Sequence, residues 1–260
     1  MLLESKASKI ILALIAILLL VTTGKEWVDF YNCGAVNQCL ADARTLQFFT
    51  KFSMSLLLTV LAFIVSRDSF SKLDAKLLRI AFIFSLLADF CFCMIKVIAP
   101  AERTLSDILG IAFFIMFQTA LIHRHTRKSE TDTKPSKVHK FLLLPLVAFA
   151  AALFGGKVVE PTLDNITVVI VVVYGIFVIT SMVVGILTPR NAFFPAENAK
   201  LIRWGMVTFF FGDVLVGLAL ITGEDHSAVQ AVAEIANNFV WWLYVPAQLM
   251  LICSTAKPQA

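Results

Sequence analysis

Long apolar runs separated by short polar intervals dominate this chain. Eight of them reach or approach the roughly 20 residues an α-helix needs to cross a bilayer: 10–27, 48–66, 77–99, 106–122, 140–157, 165–187, 204–222 and 233–254. The pattern predicts an all-α, polytopic membrane bundle of about eight transmembrane helices. The first run has the length of a secretory signal. However, Thr22-Thr23-Gly24-Lys25-Glu26 is a poor small-residue cleavage site, so the run is read as a span. One polar, Pro-containing stretch, 128–136, reads as a flexible linker. It divides a single domain, 1–260, into two four-helix halves, 1–127 and 137–260.

Composition agrees with this reading. Hydrophobic residues make up 59% of the chain and charged residues 15%, against about 25% charged in soluble domains. The mean hydropathy is +0.84. A soluble domain is excluded, and the chain has neither a nucleic-acid signature nor a phosphate-cradling glycine loop. Of the 22 basic residues, 16 fall in the N-terminal tail, the even-numbered loops and the C-terminal tail, or in the span ends that adjoin them. The positive-inside rule then places both termini in the cytoplasm, at the inner membrane of a bacterium or the endoplasmic reticulum of a eukaryote. The strongest single signal is the run from His123 through Lys128, read as a solvated basic loop whose His123 and His125 face water.

Against this apolar background two carboxylates stand out. Asp89 and Asp213 lie inside spans, where a charge costs roughly 2.5–3.5 kcal/mol on insertion scales. Counted from the predicted helix starts, they sit about 18 Å and about 14 Å deep. Each is in the third helix of its half, which allows a parallel pseudo-repeat. They serve either as structural polar clamps between helices or as one shared polar site. Two adjacent carboxyls resist double ionisation, so a close pair would share one proton and supply a general acid and a general base together.

Other polar residues fall around them. Tyr244 and Gln248 are four apart on one helix face beside Pro246, which removes a backbone donor and allows a kink. Gln118 is the polar residue of the fourth span, and lines the same cavity or bonds a neighbouring helix. Lys51 either contacts substrate or snorkels to the interface, as Lys96 does. Asp107 is expected at a helix start, Glu234 at a helix end facing the outer surface, and Trp241 and Trp242 in an interfacial belt. Cys33 and Cys39 lie in the first non-cytoplasmic loop, where they pair in an oxidising compartment or stay free. Cys91, Cys93 and Cys253 are expected as packing residues. Asn165 opens a sequon that abuts the membrane and is expected to go unused. No cluster has metal-ligand spacing, and no cofactor is expected.

The order of short motifs resembles the YhhN family of integral membrane proteins, which includes lysoplasmalogenases. Ser85-Leu86-Leu87-Ala88-Asp89 matches the third-helix Ser-Leu-Leu-Gly-Asp, with Ala88 in place of Gly. Gly212-Asp213 matches the penultimate helix, and Tyr244-Val245-Pro246-Ala247-Gln248 the closing Tyr-x-x-Ala-Gln. Lys51-Phe52 half-matches the second-helix Lys-Pro. The fourth helix lacks the usual His, and Gln118 is the nearest polar substitute. The resemblance covers roughly Lys51 to Ser254. It implies hydrolysis of the vinyl ether of lysoplasmalogens by Asp89 and Asp213, with Gln248, Tyr244, Gln118 and Lys51 binding substrate. It implies a lysophospholipid partner among membrane lipids, with a phosphate-contacting rim at Arg79, Lys200 or Arg203. Oligomeric state is not legible. The same buried carboxylates also suit a proton-coupled transporter of a small molecule or lipid, and a third class is a structural or lipid-sensing protein.

Overall fold

The computed structural model describes residues 5–33, 44–127, 165–190, 192–219 and 227–257. Seven helices among the described residues are long and apolar enough to cross a membrane. They are α1 (Lys6–Cys33), α2 (Thr45–Val65), α3 (Lys72–Asp89), α4 (Arg103–His125), α5 (Asn165–Leu187), α6 (Ala196–Ala219) and α7 (Ser227–Cys253). A π-helical turn, Phe90–Ile95, and a last turn, Lys96–Ile98, extend α3. The predicted span 140–157 lies outside the described residues. So does Cys39, and with it the pairing of Cys33 with Cys39.

The helices α2 to α7 each pack on the next, and α7 returns to α2, which closes the group. The helix α1 lies against α2 and α7. Apolar side chains such as Leu56, Phe63, Ile83, Leu87, Phe211 and Val214 point outward, as lipid requires. Ser55, Ser85, Asp89, Gln118 and Gln248 point inward. In hydrocarbon a polar side chain has no water to bond, so it turns to its neighbours. Between these polar groups the core is filled by Met54, Leu58, Phe82, Phe117, Ile202, Met206, Phe209 and Val245.

The two ends of the bundle are held differently. At one end, Asp74 in the first turn of α3 receives Arg124 of α4 at 2.8 and 3.0 Å, Thr255 at 2.7 Å, and Arg127. Arg124 also donates to Ser254 at 3.0 Å, and Asn198 donates to the carbonyls of Ser254 and Ala256 at 2.7 Å. The backbone NH groups of Phe70 and Lys257 bond the carbonyls of Thr255 and Asp68. The chain after α7 is therefore tied to the α2–α3 connection. At the opposite end α1 meets α2 through Thr22–Thr50 (2.6 Å), Gln47–Asp29 (2.8 Å) and Lys51–Glu26 (2.6 Å).

This geometry corrects several expectations. The run from His123 is not a solvated loop. Its residues 123–125 are the last turn of α4, with His123 exposed and Arg124 and His125 buried. The Asp74 carboxylate draws Arg124 inward, so the charge that marked a loop in the sequence is a core clamp. Lys51 does not snorkel, because Glu26 on α1 offers it a buried counter-charge. Asp107 is not at a helix start. The helix begins at Arg103, and Asp107 instead pairs with Lys96 at 2.7 Å. Glu234 lies inside α7 and is gripped by Arg44. Trp241 is buried against Tyr244, ring centroids 5.0 Å apart, while Trp242 stays at the lipid face. Cys91 and Cys93 are buried, as expected of packing residues, Cys253 is partly buried, and all three are free thiols.

Close helix approach makes one testable demand. A Cβ on Gly185 would lie 2.6 Å from the Met206 side chain, whereas one on Gly217 would meet no atom within 4 Å. Alanine gains up to about 1 kcal/mol of helix propensity over glycine, but overpacking costs about 1–3 kcal/mol. Gly185→Ala should therefore lower the melting temperature in detergent and Gly217→Ala should not. Equal melting of the two variants would contradict the packing of α5 on α6.

Candidate active site: a buried carboxylate on a hydroxyl relay

Asp89 ends the regular part of α3 at 5% exposure. Its Oδ2 accepts from Ser55 Oγ at 2.5 Å and from Tyr244 Oη at 2.7 Å. Tyr244 Oη lies 2.7 Å from Ser85 Oγ, and Gln248 Nε2 donates to Ser85 at 3.1 Å. A hydroxyl has one proton to give. With Tyr244 donating to the carboxylate, Ser85 must donate to Tyr244, and Gln248 to Ser85. Helices α7 and α3 thus join in one directed chain from Gln248 through Ser85 and Tyr244 to Asp89, and α2 adds Ser55 as a second donor to the carboxylate. Hydrogen bonds to a charged group are worth about 1.5–3 kcal/mol each, so two of them offset much of the cost of the buried charge.

Local sequence sets this geometry. Ser85 and Asp89 are four apart on α3, and Tyr244 and Gln248 are four apart on α7, so each pair shares a face. The π turn begins directly after Asp89. Such turns shift the hydrogen-bond ladder and recur at functional sites. Here Ser106 of α4 donates to the Cys91 carbonyl within it at 2.6 Å.

Asp213 sits apart from this chain. It is half-buried on α6 and accepts from Tyr174 of α5 at 3.1 Å. Phe114 of α4 stands between the two pairs, its ring centroid 6.3 Å from those of Tyr174 and Tyr244. No hydrogen bond joins Asp89 to Asp213 among the described residues. A proton shared directly by adjacent carboxyls is therefore not the arrangement found; each carboxyl has its own tyrosine. Their level in the bundle does correspond, because Lys72 to Asp89 and Ala196 to Asp213 are the same seventeen-residue step. Both helices begin earlier than expected, so both carboxyls lie further from their helix starts.

Gln118 is fully buried, and its amide faces the Tyr174 hydroxyl at a geometry short of a hydrogen bond. The Gln248 Oε1 also has no partner. Two buried amides therefore keep bonding capacity on either side of Phe114. Lys51 lies one turn from Ser55 on the same face of α2, paired with Glu26. Of the expected phosphate contacts, Arg79 donates to Ser66 at 2.7 Å, Lys200 pairs with Glu197 at 2.8 Å, and Arg203 reaches the Ile186 carbonyl at 3.3 Å. None of the three touches the Asp89 chain. An apolar groove of about 160 Å³ between α4 and α5, lined by Ile111, Ile115, Val169 and Val173 among others, lies on a different face.

Sequence reasoning missed Ser55 and Tyr174 as site residues, and passed over Ser85 although its motif was read. Each had a faint signal: Ser55 is four from Lys51, Ser85 is four from Asp89, and Tyr174 is a polar-tipped ring in a run of Val and Ile.

Fold and site together define a polytopic helical membrane protein with a buried carboxylate network at the centre of its bundle. The profile of the YhhN family matches residues 46–255, most of the chain, and the protein belongs to that family. No curated protein and no solved structure matches it.

Proposed function

We propose that this protein is an intramembrane hydrolase that cleaves the vinyl ether bond of lysoplasmalogens, with Asp89 as the proton-transfer group. The observation that carries this reading is Asp89 itself, buried between helices and aligned by two hydroxyl donors. Membership of a family associated with lysoplasmalogenase-like function supports the substrate class.

The chemistry asks for such a group. Hydroxide does not attack a vinyl ether. A proton must first be added to the alkene carbon remote from oxygen, which converts the adjacent carbon–oxygen unit to an oxocarbenium ion. In this mechanism protonated Asp89 gives that proton. Water then adds to the cationic carbon and returns a proton to carboxylate. The hemiacetal collapses, its carbon–oxygen bond to glycerol breaks, and fatty aldehyde and glycerophospho-choline or -ethanolamine leave. Fixed oxygen dipoles around the developing cation lower the barrier in a water-poor site. Gln248, one turn from Tyr244 toward the Asp74 end, holds the Ser85 end of the hydrogen-bond chain. Asp213, with Tyr174, is assigned the attacking water.

The test is purified protein incubated with vinyl-ether, alkyl-ether and acyl lysolipids, with products read by mass spectrometry. Fatty aldehyde from the vinyl ether alone is expected. Asp213→Asn should slow its release by about 10²-fold, the lower range for general base catalysis. Near-normal turnover would reduce Asp213 to a structural partner of Tyr174.

The interruption of α3 beside Asp89 and the Pro246 inside α7 favour one other reading, a proton-coupled transporter. Proton-linked solute flux in liposomes, with no aldehyde from any vinyl ether, would select it. In either reading we place the Asp74 end of the bundle and both termini in the cytoplasm, from the basic-residue bias. Labelling of a cysteine placed at Ser129 from the opposite side would reverse this.

A further inference from the structure

At the α1–α2 end, one helical turn from Ser55, lies a cluster of opposite charges that the proton-transfer chain does not use. Lys51 Nζ is 2.6 Å from Glu26 Oε1, with side chains 10% and 1% exposed. Arg44 holds both carboxylate oxygens of Glu234 at 2.6 Å. Glu26 lies within electrostatic reach of Arg44 and Glu234 as well as Lys51, so the four charges form one group. Four buried polar atoms in this region have no hydrogen-bond partner: Thr23 Oγ1, both carboxylate oxygens of Glu26, of which Oε1 has Lys51 as an ionic partner only, and, one turn from Glu234 on α7, Asn238 Nδ2. Glu26 and Asn238 are each 3% exposed. Attraction within a buried ion pair offsets its desolvation only when the remaining lone pairs are also satisfied. Glu26 falls short of that condition, which a purely structural pair has no reason to do.

We infer that this cluster is the head-group site of the lipid substrate, with Lys51 taking the phosphate and Glu26 a primary ammonium, so that the protein prefers ethanolamine-type lysolipids. The inference rests on the vinyl-ether reading above for its placement. Lys51 and Ser55 are four residues apart on α2, a rise of about 6 Å. In the lipid, about five bonds separate the ether oxygen from phosphorus, roughly 6 Å when extended at about 1.5 Å per bond less the zigzag. An ether held at the level of Ser55 and Asp89 therefore sets its phosphate at the level of Lys51.

The charges exchange in kind. Before binding, Lys51 and Glu26 neutralise each other. On binding, Lys51 turns to phosphate and Glu26 to ammonium, so neither state leaves a buried charge alone. A primary ammonium has N–H donors for Glu26 Oε2. A quaternary ammonium has none and is suited instead to an aromatic cage. Glu26 belongs to α1, outside the residues matched by the family profile. Head-group selection is thus a property that α1 adds to the shared frame.

The experiment measures binding to the purified full-length chain in detergent, so it does not depend on turnover. The probes are lysophosphatidylethanolamine, lysophosphatidylcholine and monoacylglycerol with one common acyl chain. The wild type should bind them in that order of affinity. Glu26→Gln should remove the preference for ethanolamine over choline, and Lys51→Met the preference for phospholipid over monoacylglycerol, each by about tenfold. Preferences that survive both substitutions, or a wild type indifferent to head group, overturn the inference. Should the buried variants fail to melt cooperatively, Glu234→Gln and Asn238→Leu carry the same test. Each should weaken ethanolamine-lipid binding about threefold, and unchanged binding in both counts against the site. Head-group preference without aldehyde release would keep this site and remove the hydrolase reading; aldehyde release without head-group preference would do the reverse.

Discussion

Asp89→Asn should lower aldehyde release from a vinyl-ether lysolipid by about 10²–10⁴, the usual contribution of a general acid–base group. The fold should survive. Asparagine has nearly the same volume, and its carbonyl can still accept from Ser55 and Tyr244 in place of Oδ2. What it lacks is a proton to give to the alkene carbon. Tyr244→Phe removes one of two donors and leaves the carboxyl, so its loss should be smaller, about 10-fold or a little more from one charge-assisted hydrogen bond. If Asp89 and Asp213 act in one reaction, the double asparagine variant should be little worse than Asp89→Asn alone, because residues that work as a unit are not additive. Initial rates of aldehyde formation beside thermal unfolding in detergent decide this. Turnover close to wild type in a well-folded Asp89→Asn protein would end the mechanism.

The largest effect on stability is expected at Asp74, remote from the chemistry. Its side chain and that of Arg124 are both 0% exposed. Asp74 is the carboxylate on which Arg124, Arg127 and Thr255 converge. Asp74→Ala leaves the Arg124 cation buried without its counter-charge, a change that typically costs about 3–5 kcal/mol. Removing both partners, Asp74→Ala with Arg124→Met, should recover part of that loss, since the buried charge disappears with its partner. Denaturant unfolding of the four proteins measures the coupling. Equal stability of Asp74→Ala and wild type would show that the clamp contributes nothing. Since Ser254 and Thr255 belong to the same knot, the single variant should also loosen the C-terminal segment first, which hydrogen exchange can follow.

The sequence by itself determined the class of the protein and much of its site. Hydrocarbon admits only helices whose backbone bonds are internal, so runs of about 20 apolar residues fix elements with little help from context. Seven of the predicted spans are found where the pattern put them, and six of these begin three to eight residues earlier, in turns the apolar count could not include. Asp89 was legible because a carboxylate inside such a run is costly enough to need a reason, and Tyr244 with Gln248 because four residues bring two side chains to one helix face.

Only the tertiary structure decided which polar groups meet. Ser55, Ser85 and Tyr244 come from three helices and lie far apart in the chain, and no local pattern encodes a contact of that kind. It also decided which charges face water. Arg124 and His125 looked like a basic loop, and Lys51 like a snorkelling side chain. In the fold, Asp74 and Glu26 stand opposite Arg124 and Lys51, and a buried charge is stable only where a counter-charge is already waiting. That condition depends on the packing of helices against one another, which a run of residues cannot state.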